Sequence, residues 1–400
     1  MGGSHPMPYG SSRPPSRIPT PLGIALPLRL PDTQYMRVHV VDPSAYTPPY
    51  DHALCRALGT AGAEVSLYTS RFAYGPLPPP GGYEREDAFY RAAGRVRDPR
   101  ARRAVKLAEH VPDMLRYRRA ARAADLVHFQ WLTVQHLDGL LLPRGRPLVL
   151  TAHDILPREP RPGQRVAQRR LYDRFDAVVV HSDRGRARLV GELGVDPGRV
   201  HVLEHGVLRP WQGSPEAALP HELREREGPV VLFFGLLRPY KGLDLLLEAW
   251  KGVHGAELWI VGMPRMDLAT LRASAPAGVR WLTRFVADGE ILALMRRASL
   301  LVLPYREIDQ SGVAFAGLGA GLPLLLSDVG GFPDIAETGA ARTFPAGDPA
   351  ALRESLSGLL ADPTALGEMA QRARAAAAGA YAWESIAQRT LALYRGLLPR

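Results

Sequence analysis

Two cations and a histidine stand where this chain has the means to do chemistry. Arg238 and Lys241 follow directly on an apolar run at 229–235, and His153 closes another at 147–151. Such runs read as buried strands. In a parallel sheet, the carboxyl ends of the strands form the ligand crevice. A third stretch fits the same place. The apolar run 300–303 ends at Pro304, a polar loop covers 305–310, and Ser311-Gly312-Val313 opens a small-residue helix that Gly321-Leu322-Pro323 closes. Unbonded amides at that helix start suit an anion, and Gly312 allows a phosphate close to the backbone. A cation at a helix start opposes the helix dipole, so a bound anion explains Arg238 and Lys241 better than solvation does. Lysine occurs only at 106, 241 and 251 among 50 basic residues, which sets Lys241 apart. His153, at a strand's carboxyl end, sits where α/β sheets bind ligands, and histidine is a common functional side chain there. His128 lies inside its strand and reads as a packed histidine.

The elements that would hold these residues alternate. Strand, helix and strand patterns at 37–41, 50–61 and 64–68 imply a parallel sheet. Further strands are expected at 125–130, 147–151, 177–181 and 200–203, with helices at 98–124, 161–175 and 184–194. Residues 209–228 are charged, Pro-interrupted and aperiodic. The pattern then restarts with strands at 229–235, 257–261, 279–282, 300–303 and 324–326. Helices are expected at 241–253, 267–274, 288–298, 348–360, 363–378 and 383–398. The reading is α/β: two doubly wound halves with a cleft between them. Its parts are an extension at 1–35 read as disordered, a first domain at 36–207, a linker at 208–228 and a second domain at 229–380. The final helix at 381–400 is expected to pack back on the first domain. Gly317 to Gly321 invites a dinucleotide fingerprint, but those glycines end a helix and Leu322 occupies the third glycine's place.

Composition narrows the class. Apolar content of 46% against 22% charged indicates a globular chain, and 400 residues suit two cores. Cys55 is the only cysteine, which leaves no disulfide framework or thiolate zinc site and suits a reducing cytosol. No Asp-x-Asp pair offers phosphate-bridging metal ligands, so metal-independent chemistry without a cofactor is expected. The net charge of +10 is written almost wholly in arginine, a bias that a GC-rich genome produces, so it is no argument for nucleic acid. The basic stretch 98–124 has two readings, a solvated helix face or a patch for an anionic acceptor or the inner face of a membrane.

The motif 234–242, Phe-Gly-Leu-Leu-Arg-Pro-Tyr-Lys-Gly, together with Gln310-Ser311-Gly312-Val313 and Gly330-Gly331, resembles the family 4 glycosyltransferases of the GT-B fold. The resemblance runs from about residue 36 to the end and is looser in the first half, through His153 and the Glu204-His205-Gly206 turn. It implies two Rossmann-like domains and transfer of a sugar from a nucleoside-diphosphate donor, with retention at the anomeric carbon. Arg238 and Lys241 would then grip the donor diphosphate, with the amides of Ser311, Gly312 and Val313. His153 would act near the reacting sugar and Glu307 on its hydroxyls. Gly235, Gln310, His205, Gly206, Arg284 and Asp334 are further donor-cleft candidates. The family's paired glutamates stand eight positions apart. The second falls at Ala316, and Glu307 is nearest to the first. A loop at 44–49 replaces the family's glycine-rich one. The missing glutamate motivates a non-catalytic partner protein as one alternative; a nucleotide-sugar epimerase is the other.

Overall fold

The computed structural model describes residues 35–72, 77–156, 163–209, 217–223 and 228–399. The extension expected at 1–35 lies outside these, Tyr35 excepted. Seven strands come first: β1 (Arg37–Asp42), β2 (Glu64–Ser70), β3 (Glu84–Phe89), β4 (Leu126–Phe129), β5 (Leu148–Thr151), β6 (Ala177–Val180) and β7 (Val200–Val202). They pair in parallel in the order 3-2-1-4-5-6-7. The helices between them are α1 (Pro48–Thr60), α2 (Pro99–Ala120), α3 (Gln135–Leu141), α4 (Gln164–Tyr172) and α5 (Asp183–Ala187). β4, β5 and β6 are mostly apolar and buried throughout, as strands with helices on both sheet faces are. Asp98 caps α2 by accepting from the Ala101 amide, and Pro99 sits where no helical N–H is needed.

The second sheet holds β8 (Val230–Phe234), β9 (Glu257–Val261), β10 (Val279–Leu282), β11 (Leu300–Leu303), β12 (Leu324–Ser327) and β13 (Ala341–Phe344). Its parallel order is 10-9-8-11-12-13. Around it lie α6 (Leu243–Trp250), α7 (Ala269–Ala273), α8 (Asp288–Arg297), α9 (Gly312–Ala320), α10 (Phe332–Glu337), α11 (Pro349–Leu360) and α12 (Pro363–Ala378). The last helix, α13 (Trp383–Leu397), places Ala387, Leu391 and Tyr394 in the core beneath α1, on the first sheet.

Strand order reverses between β1 and β4 in one sheet and between β8 and β11 in the other. These reversals open crevices at the strands' carboxyl ends. The small residues of α9 bring it close to its sheet. A Cβ on Gly317 would meet Leu301 at 2.6 Å and Leu324 at 2.7 Å.

Several expectations are corrected. β3, α3, α10 and β13 had no counterpart in the pattern. The helix expected from 241 begins at Leu243, and Lys241 ends a single 3-10 turn (Pro239–Lys241) before it. Gly242, left-handed at φ 67°, separates turn from helix. The helix expected at 184–194 loosens into a π turn over Arg188–Glu192. Within the stretch read as linker, 210–216 and 224–227 lie outside the described residues, and Leu223 is buried in the second core. No described helix is long and apolar enough to cross a membrane.

Candidate functional site

The two crevices face one cleft of about 2140 Å³. On its second-sheet wall three segments converge at Gly235, the residue after β8. Gly235 has φ +114°, and a Cβ there would lie 2.9 Å from Lys241 Nζ and 3.1 Å from Val313 Cγ2. Only glycine satisfies both the dihedral and the space. Lys241 is buried at 6% exposure, with Nζ 5.0 Å from the centre of the Tyr305 ring. Arg238 is exposed in the cleft and makes no ion pair with a described residue. The first bond inside α9 runs from the Ala314 amide to the Ser311 carbonyl at 3.0 Å, so the Gly312 and Val313 amides precede it. Ser311 is buried and its hydroxyl does not cap the helix. Two cations and a helix start thus present positive charge to one region.

The opposite wall is built at the end of β1. The buried Asp42 carboxylate accepts from the amides of Ser44 (3.2 Å), Tyr46 (2.6 Å) and Thr47 (3.2 Å), which folds the 44–47 loop back over the strand. Asp51 on α1 lies beside it, and burial together with the Asp42 charge pushes the Asp51 carboxyl well up. Trp131, just past β4, donates to Thr47 Oγ1 at 2.8 Å and lines the cleft. Its ring stacks on His153 with centres 5.0 Å apart.

Behind Trp131 lies a run of buried histidines. His181 Nδ1 lies 2.8 Å from the Leu203 carbonyl, which only accepts, so that nitrogen carries the proton. His181 Nε2 is then the acceptor facing His153 Nδ1 at 3.4 Å, and His153 Nε2 faces the Gln130 amide at 3.1 Å. Burial drives every one of them toward the neutral form: His181 to about 4, His128 to about 3, and His153 and His205 well below the usual range. His128 bonds Tyr394 and Thr151.

The sheets meet around Asp309. Its carboxylate accepts from the Ile155 amide at 2.9 Å and pairs with Arg188. Gln310 donates to the His181 carbonyl at 3.2 Å, and Arg184 to the Asp328 carbonyl at 2.8 Å.

Known proteins share this fold. The model of a family described as Glycosyltransferase Family 4 matches residues 50–207, and that of Glycosyl transferases group 1 matches 228–362. The chain belongs to the family 4-type glycosyltransferases of the GT-B fold. Among curated relatives, alpha-maltose-1-phosphate synthase of Mycolicibacterium smegmatis is 28% identical over 69% of this chain and 80% of its own length. D-inositol 3-phosphate glycosyltransferase of Mycolicibacterium paratuberculosis is 27% identical over 68% of this chain and 66% of its own. Among solved structures, sucrose-phosphate synthase from Thermosynechococcus elongatus superposes with TM-score 0.70 at 18% identity, covering 90% of this chain and 99% of that one. Anabaena HepE in complex with UDP-glucose gives 0.67 at 18% identity, covering 91% and 100%.

In this glycosyltransferase Gly235, Arg238, Lys241, Arg284, Gln310, Ser311, Gly312 and Val313 line the cleft. Arg284 does so while paired to both oxygens of Glu290, at 2.7 and 3.0 Å. The other candidates do not line it. His153 lies beneath Trp131 with both ring nitrogens turned to protein groups. His205 stacks on Phe315 at 4.2 Å, and the space beside Gly206 is filled by the Trp383 ring. Glu307 is exposed and is not among the residues lining the cleft. Asp334 is half-buried in the first turn of α10, and its backbone carbonyl receives the Tyr381 hydroxyl. The sequence reading passed over Trp131 and Asp309, and it noted Ser44 and Lys106 only within the loop 44–49 and the basic stretch 98–124. Trp131 was within its reach, since it follows the strand at the switch point of the sheet.

Proposed function

We propose that this glycosyltransferase moves a sugar from a nucleoside-diphosphate sugar to an acceptor hydroxyl, with retention at the anomeric carbon. The observation that carries this reading is the approach of Lys241 and the start of α9 to Gly235, with Arg238 lining the same cleft. Such a wall meets the charge that develops on a departing diphosphate. No protein nucleophile is required. The anomeric C–O bond to phosphate breaks, the acceptor oxygen bonds to the same face, and its proton passes to the leaving phosphate oxygen. Positive charge on the diphosphate comes from Arg238, Lys241 and the amides, so the reading is metal-independent. Trp131, held from below by His153, offers a flat face to a sugar ring on the other wall. The ties of Asp309 and Gln310 hold the walls together and favour transfer over hydrolysis.

HepE is described with UDP-glucose, which makes UDP-glucose the first donor to try. The test is a panel of nucleotide sugars read by diphosphate release, with product configuration read by NMR. Arg238→Ala and Lys241→Ala should each slow turnover; unchanged turnover in both with every donor sinks the assignment. Donor incubated without acceptor should yield slow hydrolysis and no epimer.

The reading extends to a contact with anionic membrane through 98–124. Leu107, Val111 and Leu115 are 58%, 37% and 41% exposed and follow one another at four-residue steps on α2. Arg100, Arg103, Arg119 and Arg122 are exposed around them. An apolar stripe bordered by cations suits a lipid interface. Cosedimentation with phosphatidylglycerol vesicles, but not with phosphatidylcholine, is expected at low salt; no binding there removes this part.

A further inference from the structure

The first-sheet wall of the cleft carries more positive charge than a neutral sugar needs. Arg56, Arg71, Arg85, Arg102 and Lys106 all line it. None forms an ion pair with a described carboxylate. Hydroxyl hydrogen bonds and ring stacking suffice for a neutral sugar. Cations gathered in a cleft repel one another until an anion enters. Arg56 and Arg85 lie near enough to His52 to help hold it neutral. These groups are distinct from the donor wall, which carries its own Arg238 and Lys241.

Within this wall the ground around Lys106 is built for a ligand. Lys106 Nζ donates to Ser44 Oγ at 2.8 Å, and Ser44 in turn bonds Thr133 Oγ1 at 2.7 Å. The ammonium sits 4.7 Å from the centre of the Tyr90 ring and 5.6 Å from that of Tyr46. Burial pushes its pKa down while Asp42 raises it. An ammonium carries three N–H donors, and Ser44 takes one. Arg102 stands one turn earlier on α2. Its Nε is used on the Val96 carbonyl at 2.9 Å, which leaves the two terminal amino groups for the cleft.

We propose that the acceptor of this enzyme carries a phosphoryl group, and that Lys106 and Arg102 bind it. The proposal rests on the reading of the cleft as a sugar-transfer site. The phosphoryl oxygens take the remaining donors of Lys106 and the fork of Arg102, while Tyr46 and Trp131, in contact with each other at 5.3 Å between ring centres, form one aromatic surface beside the acceptor. The group belongs to a soluble sugar phosphate or to a lipid headgroup. The chemistry of recognition is the same for both.

Calorimetry on the full chain tests this. Inorganic phosphate is titrated into protein already saturated with UDP, so that the donor diphosphate site is filled. One phosphate site is expected in the wild type. Lys106→Met should weaken it at least about ten-fold, the loss of one charge-assisted contact, and Lys106→Arg should restore most of the affinity. UDP binding, measured first in each sample, reports an intact fold and donor wall. Absence of UDP binding in the wild type would count against sugar transfer itself, whereas UDP binding without a phosphate site overturns only this proposal. Phosphate binding unchanged in Lys106→Met overturns it too. Displacement by glucose 6-phosphate or by phosphatidylglycerol vesicles supports it and names the source. Displacement by unphosphorylated glucose alone refutes it.

Discussion

Gly235 and Lys241 provide the sharpest test of how the donor wall works. Gly235→Ala puts a methyl group 2.9 Å from Lys241 Nζ and 3.1 Å from Val313 Cγ2, at φ +114°. The backbone strain costs on the order of 1–3 kcal/mol of stability, measurable by urea unfolding. The effect on rate has a different source. Removing one preorganised donor from a developing charge costs about 100- to 1000-fold, so Lys241→Met should lower kcat by that much. Gly235→Ala keeps the ammonium but pushes it aside by a few tenths of an ångström, and about a ten-fold loss is expected. In the double variant there is no ammonium left to push. Its rate should therefore match that of Lys241→Met within about two- to three-fold, a strong departure from additivity. The assay is diphosphate release at saturating donor, with folding checked by UDP binding. Losses that multiply, leaving the double variant about ten-fold below Lys241→Met, would show that Gly235 acts independently of the lysine and would refute the argument.

Asp309→Ala removes the carboxylate shared by the Ile155 amide and Arg188. Hydrogen bonds to a charged group contribute about 1.5–3 kcal/mol, so acceptor KM should rise about ten-fold and the ratio of donor hydrolysis to transfer should increase. Stability should fall with acidity. His181 titrates near 4 and His128 near 3 in the folded chain, against about 6.5 when unfolded. Between those values the unfolded chain takes up protons that the folded chain refuses, so stability is lost as pH falls below about 6.5. For His181 alone the loss is about 3 kcal/mol by pH 4. Asp51 and Asp42, whose pKa values burial raises, pull the opposite way, so unfolding is best compared between pH 7 and pH 5 in an Asp51→Asn background, which removes one of the two. A flat profile there would refute neutral burial of the histidines. Excess EDTA should leave the transfer rate unchanged; a loss restored by added divalent cation would show that the two cations and the amides are not sufficient.

The sequence made β8, β11 and β12 plain because they are short, almost wholly apolar and bounded by Pro or Gly. Gly235, Lys241 and Ser311 were legible as cleft residues for the same reason, since they follow those strands at the crevice of the sheet. β3 was missed because Glu84–Phe89 lies on a sheet edge and is mostly exposed, so its residues carry no apolar run. β13 is only four residues long, and Arg342 and Thr343 between its buried ends leave no apolar run to detect. Burial explains the histidines. A histidine at a strand end looks the same in sequence whether it faces a cleft or lies under a tryptophan, and only the packing of Trp131 separates the two for His153. Asp309 was hidden because its partners, Ile155 and Arg188, are more than a hundred positions away.

The helix α9 joins one wall of the cleft to the rest of the molecule. Its first turn lines the cleft, and its Gly317 face lies tight on β11 and β12. Its Phe315 carbonyl accepts from the Leu208 amide at 3.2 Å, and the Phe315 ring stacks on His205. From His205 ring contacts continue to His181 at 5.2 Å, to His153 at 5.2 Å and to Trp131 at 5.0 Å. The start of α9 and the aromatic face on the opposite wall are therefore the two ends of one packed row. Interiors at native density have no slack to absorb a shift. A displacement of α9 must either move Trp131 or open a gap between buried rings, and the second course forfeits contacts that burial has made favourable. Neutral histidines suit this row. Charged rings at 5.2 Å would repel in a low-dielectric interior, so the burial that removes their acid–base chemistry also makes them fit for packing.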